Sequence, residues 1–441
     1  MKGKSFFQLG VIATFVVLLF VGLLGFSGKI PLPGRAEDKN YGEVVVWGTL
    51  PNLVMQNVIA DKLGNEKNIV IKYVEKSKAS FDEDFVEALA SGQGPDLIII
   101  GQDQMIRNLN KIALVSYAAY PERTFKDIFV EEGEMFMLPQ GLIAIPLTID
   151  PLVMYWNRDI FTNASIATPP KKWSEFYDIV PRIVLRDRNG EIARAAVSFG
   201  EYKNVTSAKE ILSLLMMQAG SSIVIQQGGV FAPALSQGVG VTLSVGEASA
   251  AAVQFFTQFS KSDRDSYSWN RSLPASRAMF ESGDLAVYFG YASERPAIKL
   301  RNPHLNFDLA PVPQTDQAQK RMTFGRVQGA AMVRASRNPD GALRAAILLG
   351  TAEFSGGLAA RLSIPPVRRD LLAVRPSDAV SAILYDSALI ARAWPDPSPS
   401  ETDQIFGNMI DDIVSSRFKI SQALGTAQSA LQKVINKYQQ Q

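Results

Sequence analysis

Aromatic and planar polar side chains stand at the ends of two predicted strands near the start of the chain. Trp47 and Thr49 lie at the end of EVVVWG, and Gln102 and Asp103 follow DLIII. An aromatic face can stack on the C–H face of a ring, while amides and carboxylates hydrogen-bond its hydroxyls. These positions predict a ligand site. The alternatives are a core position for Trp47, an ordinary loop position for Thr49 and a helix N-cap for Asp103.

Two further candidate binding residues lie in predicted loops. Trp269 stands in the polar run YSWNRS, where a large aromatic side chain has little packing reason to be. Exposed aromatic side chains can mark binding surfaces, so we expect Trp269 to face a cleft. Asn204 is a weaker candidate, because an ordinary loop asparagine would look the same.

Composition argues against several kinds of chemistry. The chain has no cysteine, which excludes disulfides, thiol catalysis and a lipid on cysteine, and His304 is its single histidine. One histidine argues against zinc sites built from several histidines. No P-loop or G-x-G-x-x-G motif is present, and the acidic run at Glu131, Glu132 and Glu134 is typical of a solvated surface. We therefore predict no enzyme activity, no metal and no cofactor.

The charge balance gives no indication of a nucleic-acid partner. The formal net charge is +2, from 45 basic and 43 acidic residues that are mixed along the chain. Proteins that bind nucleic acid usually carry a clustered basic patch. We predict no nucleic-acid binding.

The N-terminus predicts a membrane anchor. Residues 6–26 are apolar except for Gln8 and Thr14, and a helix of this length spans about 31 Å, the thickness of a bilayer core. Lysines at 2 and 4 predict that residues 1–5 stay cytoplasmic, with 27–42 as an extracytoplasmic linker. The alternative is a cleaved signal peptide, but its apolar core is usually shorter and no A-x-A site follows. The predicted localisation is the cell membrane, single-pass, with the globular part extracytoplasmic.

The elements that must position the candidate residues alternate along the chain. Apolar runs at 43–48, 69–76 and 96–100 predict strands, and helical patterns fill 53–63 and 81–90 between them. This alternation is typical of a parallel sheet covered by helices. Ligands bind beyond the C-terminal strand ends of such sheets, which is where the first candidates lie.

Two long extended stretches follow, at 141–161 and 306–314. Pro146 and Pro151 interrupt the first, and we expect both prolines to limit its pairing. Each stretch suits a chain that leaves one domain to enter another. The last helix should pack an apolar stripe on the core, formed by Ile420, Leu424, Ala427, Leu431, Val434 and Tyr438.

Four segments together resemble a known family. In chain order they are VVVWG, SGQGPDLIIIGQD, AIPLTIDPLVMYWNRDIF and AMFESGDLAVYFGYASERPAI. The chain resembles the extracellular solute-binding proteins of ABC importers, in the maltose-binding-protein-like sugar group. The resemblance covers about residues 43–438.

The resemblance implies the architecture. The fold class is α/β and periplasmic binding protein type II-like, with two α/β lobes joined by a hinge across a cleft, preceded here by the N-terminal transmembrane helix. Chain crossings are expected near 149–152, 308–312 and 350–352. The N-lobe is predicted as 43–149 plus 312–350, and the C-lobe as 152–308 plus 352–441.

The resemblance also implies ligand contacts. Asp150 and Asp103 match ligand-binding acids of the family, and Tyr291 matches a stacking aromatic residue. Glu294, one turn further on, would reach hydroxyls or cap a helix, and Asp150 has the alternative of a turn residue before proline. Ile100 stands where the family has a stacking tryptophan, which speaks against a maltose-type site.

The sequence therefore predicts a membrane-anchored, extracytoplasmic solute-binding protein. It would capture a solute, most simply a sugar or oligosaccharide, by hinge closure and deliver it to an ABC import permease. The alternatives are a ligand sensor that acts through a partner receptor, or a binder of a peptide or polyamine.

Overall fold

The computed structural model describes residues 39–227, 229–235, 245–316, 318 and 320–439, together with Thr14. The predicted cytoplasmic N-terminus, the rest of the anchor and most of the linker lie outside the described residues. Among the residues that are described, no helix is both long and apolar enough to cross a membrane.

The strands form along the apolar runs. In chain order they are β1 (Gly42–Gly48), β2 (Ile69–Glu75), β3 (Leu97–Gly101), β4 (Ile112–Ala113), β5 (Met137–Leu138), β6 (Gly141–Leu142), β7 (Ile145–Asn157), β8 (Leu185–Arg186), β9 (Ile192–Val197), β10 (Val224–Gln227), β11 (Val230–Pro233), β12 (Leu285–Tyr291), β13 (Phe307–Ala310), β14 (Thr323–Val333) and β15 (Ala391–Arg392).

The α-helices cover the sheet. They are α1 (Asn52–Leu63), α2 (Phe81–Ala90), α3 (Met105–Asn108), α4 (Glu122–Ile128), α5 (Arg158–Asn163), α6 (Phe176–Ile183), α7 (Ala208–Gln218), α8 (Val245–Thr257), α9 (Ser276–Ser282), α10 (Arg295–Arg301), α11 (Pro339–Leu349), α12 (Ala352–Leu362), α13 (Arg369–Leu372), α14 (Ala379–Leu389), α15 (Pro399–Val414) and α16 (Ile420–Gln439).

The predicted β-α-β-α-β start of the chain is confirmed. β1 pairs in parallel with both β2 and β3, and α1 and α2 connect these strands. β3 is buried along its whole length, as its continuous apolar sequence requires when helices cover both faces.

One path of hydrogen-bonded strands runs through the molecule in the order β2-β1-β3-β14-β7-β12-β9-β8. We call β2, β1, β3 and β14 the first half of the sheet, and β12, β9, β8 and β13 the second half. β7 joins the halves, because residues 145–151 pair with β14 and residues 152–157 pair with β12 and β13. The change of partner at 151/152 falls within the first predicted crossing.

The two prolines do not interrupt β7, contrary to expectation. β7 is continuous from Ile145 to Asn157. Its ladder with β14 shifts register between Gln328 and Gly329, opposite Thr148 and Pro146. A bulge of this kind absorbs an irregularity in the ladder, and a proline has no N–H to give to the neighbouring strand.

The C-terminal helices are divided between the halves. α12 packs on α1 in the first half, where Arg361 donates a hydrogen bond to Asp61 at 3.0 Å. The predicted lobe bounds, 43–149 plus 312–350 and 152–308 plus 352–441, stay a prediction. α16 packs on α15 and α8, and its predicted stripe is buried at Leu424, Ala427, Leu431 and Val434.

Candidate functional site

A cavity of about 580 Å³ opens where the two halves of the sheet meet. Side chains from both halves line it. Its polar and charged lining residues include Thr49, Lys78, Gln102, Asp103, Thr148, Asp150, Lys209, Glu210, Ser293, Arg326, Gln328, Asp396 and Asp403, and its aromatic ones are Phe324 and Trp394.

Four of the predicted site residues line this cavity together. Thr49 follows β1, Gln102 and Asp103 follow β3, and Asp150 lies on β7 just before the change of partner. The strand ends converge because β1 and β3 are parallel neighbours, so their C-terminal ends meet at one edge. The ligand-binding role of these residues stays a prediction.

Gln102 uses its side-chain amide within the fold. Its Nε2 donates to the carbonyl oxygen of Gly325 at 3.2 Å, and its Oε1 accepts from the backbone N–H of Val327 at 3.1 Å. Both partners belong to β14, so the amide secures the end of β3 to the crossing strand. A solute could therefore use only the hydrogen-bonding capacity of the Gln102 amide that these two bonds leave free.

Asp150 links the halves at the crossing. Its carboxylate accepts from the backbone N–H of Ser293 at 3.1 Å and from the Ser293 hydroxyl at 2.6 Å. Arg326 is its partner across the β7/β14 ladder. Burial raises the pKa of Asp150 to about 6, and the Ser293 hydrogen bonds and Arg326 oppose this rise only in part. The carboxylate therefore changes charge near pH 6.

Tyr291 is present beside the cavity but does not line it. Its side chain is 1% exposed, and the guanidinium carbon of Arg326 lies 3.6 Å from the centroid of its ring. Glu210, on α7, accepts a hydrogen bond from Arg326 at 3.2 Å. The predicted stacking of a solute on Tyr291 is therefore not available in this conformation, because Arg326 covers the ring.

Glu294 takes the capping role that was its alternative. Its Oε1 accepts from the backbone N–H of Tyr291 at 2.8 Å, and its Oε2 accepts from the Tyr288 hydroxyl at 2.7 Å. Arg277 forms an ion pair with it at 3.2 Å. The carboxylate is thus used in closing the 3-10 turn at Ala292–Glu294 and does not line the cavity.

The expected exposure of Trp269 is wrong. The side chain is 0% exposed, and its indole N–H donates to Oδ1 of Asn204 at 3.1 Å. Asn204 in turn donates to the carbonyl oxygens of Asn270 and Leu273. The two loop candidates therefore satisfy each other inside the second half, because a buried indole N–H needs an acceptor.

Trp47 lies outside the cavity lining. It is half-buried at the end of β1, and the Lys76 ammonium lies 3.8 Å from its ring centroid. This cation–π contact occupies one face of the indole.

The family model described as "Bacterial extracellular solute-binding protein" matches residues 52–353, more than half of the chain. The chain belongs to this family. The match confirms the resemblance on which the α/β solute-binding fold was predicted.

This chain shares its fold with solved structures of solute-binding proteins. The sugar-binding protein MalE from Xanthomonas citri is similar with a TM-score of 0.71 and 16% identity, over 90% of this chain and 98% of that one. The cyclic α-maltosyl-1,6-maltose binding protein from Arthrobacter globiformis has a TM-score of 0.71 and 16% identity, over 90% and 99%.

A curated relative matches over a shorter stretch. The galactooligosaccharide-binding protein of Bacillus subtilis (strain 168) is 25% identical over 140 residues, which is 31% of this chain and 31% of that protein. The solute-binding protein described here thus aligns with less than a third of that relative's length.

Sequence reasoning missed the charged pair that α7 and the segment after β15 bring to the cavity. Lys209, at the start of α7, donates to Asp396 at 2.7 Å, to the Thr402 hydroxyl at 3.0 Å and to the Pro399 carbonyl oxygen at 3.2 Å. Burial raises the pKa of Asp396, and Lys209 opposes this rise. No local signal joins Lys209 to Asp396, because 187 positions separate them.

In the part of the chain that the structure describes, no group of three or more His, Asp or Glu side chains is placed to hold an ion. The arrangement of this solute-binding protein is instead a polar cleft. It offers ammonium, guanidinium, carboxylate, amide and hydroxyl groups around a space of ligand size.

Proposed function

We propose that this solute-binding protein captures a sugar or oligosaccharide in the cavity between its halves and delivers it to an ABC import permease. The observation that carries the proposal is the cavity of about 580 Å³, which is lined by Thr49 and Asp103 after strands β1 and β3 and by Asp150 and Arg326 on strands β7 and β14. Sugar hydroxyls both donate and accept hydrogen bonds, so a lining of mixed carboxylates and cations suits them.

Similar proteins support the sugar class. One solved structure with this fold is a cyclo/maltodextrin-binding protein with maltotetraose, another is a mannotriose complex, and a third was solved with α-D-tagatose. Peptide and polyamine ligands, and a sensing role through a partner receptor, become outcomes of the test. We propose binding without catalysis, in line with the family description as solute-binding proteins.

Hinge closure is proposed at the strands that join the halves. β7 runs through both halves, and the chain returns from β13 to β14 beside it. A solute that contacts both halves would favour the closed form, which the permease would then recognise.

Membrane anchoring by residues 6–26 is proposed from the sequence. An uncleaved apolar helix would hold the binding domain close to its transporter and raise its local concentration there. Carbonate extraction of membranes, with immunodetection of the chain, tests this part. Release of the chain into the soluble fraction would contradict it.

The solute is tested by thermal shift on the full-length chain. A ligand that binds only the folded state raises the melting temperature. The panel is maltotetraose, mannotriose, tagatose, single amino acids, spermidine and a tripeptide. A zwitterionic detergent is used, because a maltoside headgroup would itself compete.

The outcomes separate the alternatives. A shift with a saccharide that is lost in Asp150→Ala supports both the sugar class and the cavity. A shift with spermidine or the tripeptide alone keeps the cleft and rejects the sugar. No shift with any solute favours the partner-dependent sensor.

A further inference from the structure

Arg326 is the cation that β14 places in the cavity. Its side chain is 46% exposed and lines the cavity, although it lies between Asp150 on β7 and Glu210 on α7. The guanidinium has five N–H donors. Among the described residues, its one hydrogen bond goes to Oε1 of Glu210, which leaves the other donors for a solute.

The ring of Tyr291 packs against this guanidinium. The ring is 1% exposed, and the Arg326 guanidinium carbon lies 3.6 Å from the ring centroid. The buried Tyr291 hydroxyl has no hydrogen-bond partner within the described ranges. A solute in this cavity therefore meets neither the face nor the hydroxyl of Tyr291.

We propose that Arg326 is the specificity-determining side chain on this wall of the cleft. Its guanidinium takes the position on Tyr291 that a stacked sugar ring would take, and offers planar N–H donors to the oxygen-rich edge of the sugar instead. The inference rests on the proposed sugar-binding function and deepens it.

The geometry favours arginine for this role. A guanidinium is planar and weakly hydrated, so it can stack on an aromatic face and still present two adjacent donors in plane. Glu210 accepts a hydrogen bond from Nη2 at 3.2 Å, which orients the guanidinium and leaves its other N–H groups for a solute. Two neighbouring sugar hydroxyl oxygens match such a fork, whereas a lysine ammonium would act as a point charge without it.

The test is isothermal titration of the full-length chain with maltotetraose and mannotriose. We expect Arg326→Gln to weaken saccharide binding by about tenfold or more, through loss of charge-assisted hydrogen bonds. Arg326→Lys should recover only part of this loss, because it restores the charge and not the fork. Arg301→Lys, on the exposed last turn of α10, is the matched control and should bind like the wild type.

A double-mutant cycle separates this role from direct stacking. Tyr291→Leu should weaken binding severalfold in the wild type, but by no more than twofold in Arg326→Gln, because Tyr291 acts through Arg326. The proposal would be overturned if Arg326→Gln bound the saccharide more tightly than the wild type and the double variant with Tyr291→Leu lost that binding. In that case the Tyr291 ring itself would be the binding surface.

The remaining outcomes are also decisive. Saccharide affinity in Arg326→Gln within twofold of the wild type would overturn the inference and leave the proposed function standing. If no saccharide binds the wild type, the proposed function fails and the inference fails with it. Circular dichroism of each variant verifies folding, and Arg326→Lys carries the test if Arg326→Gln does not fold.

Discussion

Lys209→Met is expected to destabilise the folded protein through the charge that it leaves behind. Lys209 and Asp396 form an ion pair at 2.7 Å, with side chains only 11% and 7% exposed. Removal of the ammonium leaves Asp396 in a buried site with the Thr402 hydroxyl and the Ser398 N–H as its remaining partners. Breaking one side of a buried pair costs about 3–5 kcal/mol. Because both residues line the cavity, we expect a cost at the lower end of this range, about 3 kcal/mol.

The loss of folding stability in Lys209→Met should depend on pH. Burial already raises the pKa of Asp396, and Lys209 opposes that rise, so Lys209→Met should raise the pKa further. An acid whose pKa is raised on folding binds its proton more tightly when folded, so folding stability falls as pH rises from the unfolded pKa through the folded one. The destabilisation by Lys209→Met should therefore be largest at pH 8 and shrink towards pH 4.

Equilibrium urea unfolding at pH 8 and pH 4.5, followed by tryptophan fluorescence, measures this loss. Trp394 lies beside the pair and provides a signal, since Lys209 is 6.0 Å from its ring centroid. Lys203→Met is the matched control, because Lys203 is 84% exposed in its pair with Asp411 and should cost under about 1 kcal/mol. Equal losses for the two variants, or a loss at Lys209 that does not change with pH, would refute the reasoning.

Three further results are expected. Burial raises the pKa of Asp150 to about 6, so its own contribution to folding stability should fall as pH rises from about 4 to 6. The stability of Asp150→Asn relative to the wild type should therefore rise over that range in unfolding titrations. Trp269→Phe should cost about 2–3 kcal/mol in urea unfolding, because it leaves a cavity and removes the donor to Asn204; an unchanged midpoint would contradict the burial described here. Burial raises the pKa of Glu132 to about 8, and Arg392 opposes this rise only in part. Glu132→Gln should therefore stabilise the fold more at about pH 9 than at about pH 6 in unfolding titrations. A larger stabilisation at about pH 6 than at about pH 9 would exclude a buried carboxyl.

The parts of the site that the sequence predicted are those that follow from local pattern. Apolar runs and helical spacing indicated β1, β3 and the helices between them. Parallel neighbouring strands end at one edge, so Thr49, Gln102 and Asp103 could be expected together. Asp150 came from the family resemblance and lies at the point where β7 changes partner.

The predictions that failed depended on the surroundings of a side chain. Polar neighbours in the sequence favoured an exposed position for Trp269. In the structure its indole is buried, and Asn204 accepts a hydrogen bond from the indole N–H. Of the two roles open to Glu294, the structure shows the capping one, and Tyr291 lies under Arg326. Local sequence does not carry such information, because burial is decided by what packs on a residue from elsewhere.

Local patterns in the sequence predicted the β-α-β-α-β start of the chain and the strand ends that carry candidate polar groups, because periodicity and turn residues act over a few positions, and four segments indicated the family. Which charges meet in the cavity depends on contacts between residues far apart in the chain. Arg326 reaches Glu210 across 116 positions, and Lys209 reaches Asp396 across 187. Those contacts form only once β7 pairs with β14 and joins the two halves, and the pairing of such distant strands is fixed by packing of the whole sheet.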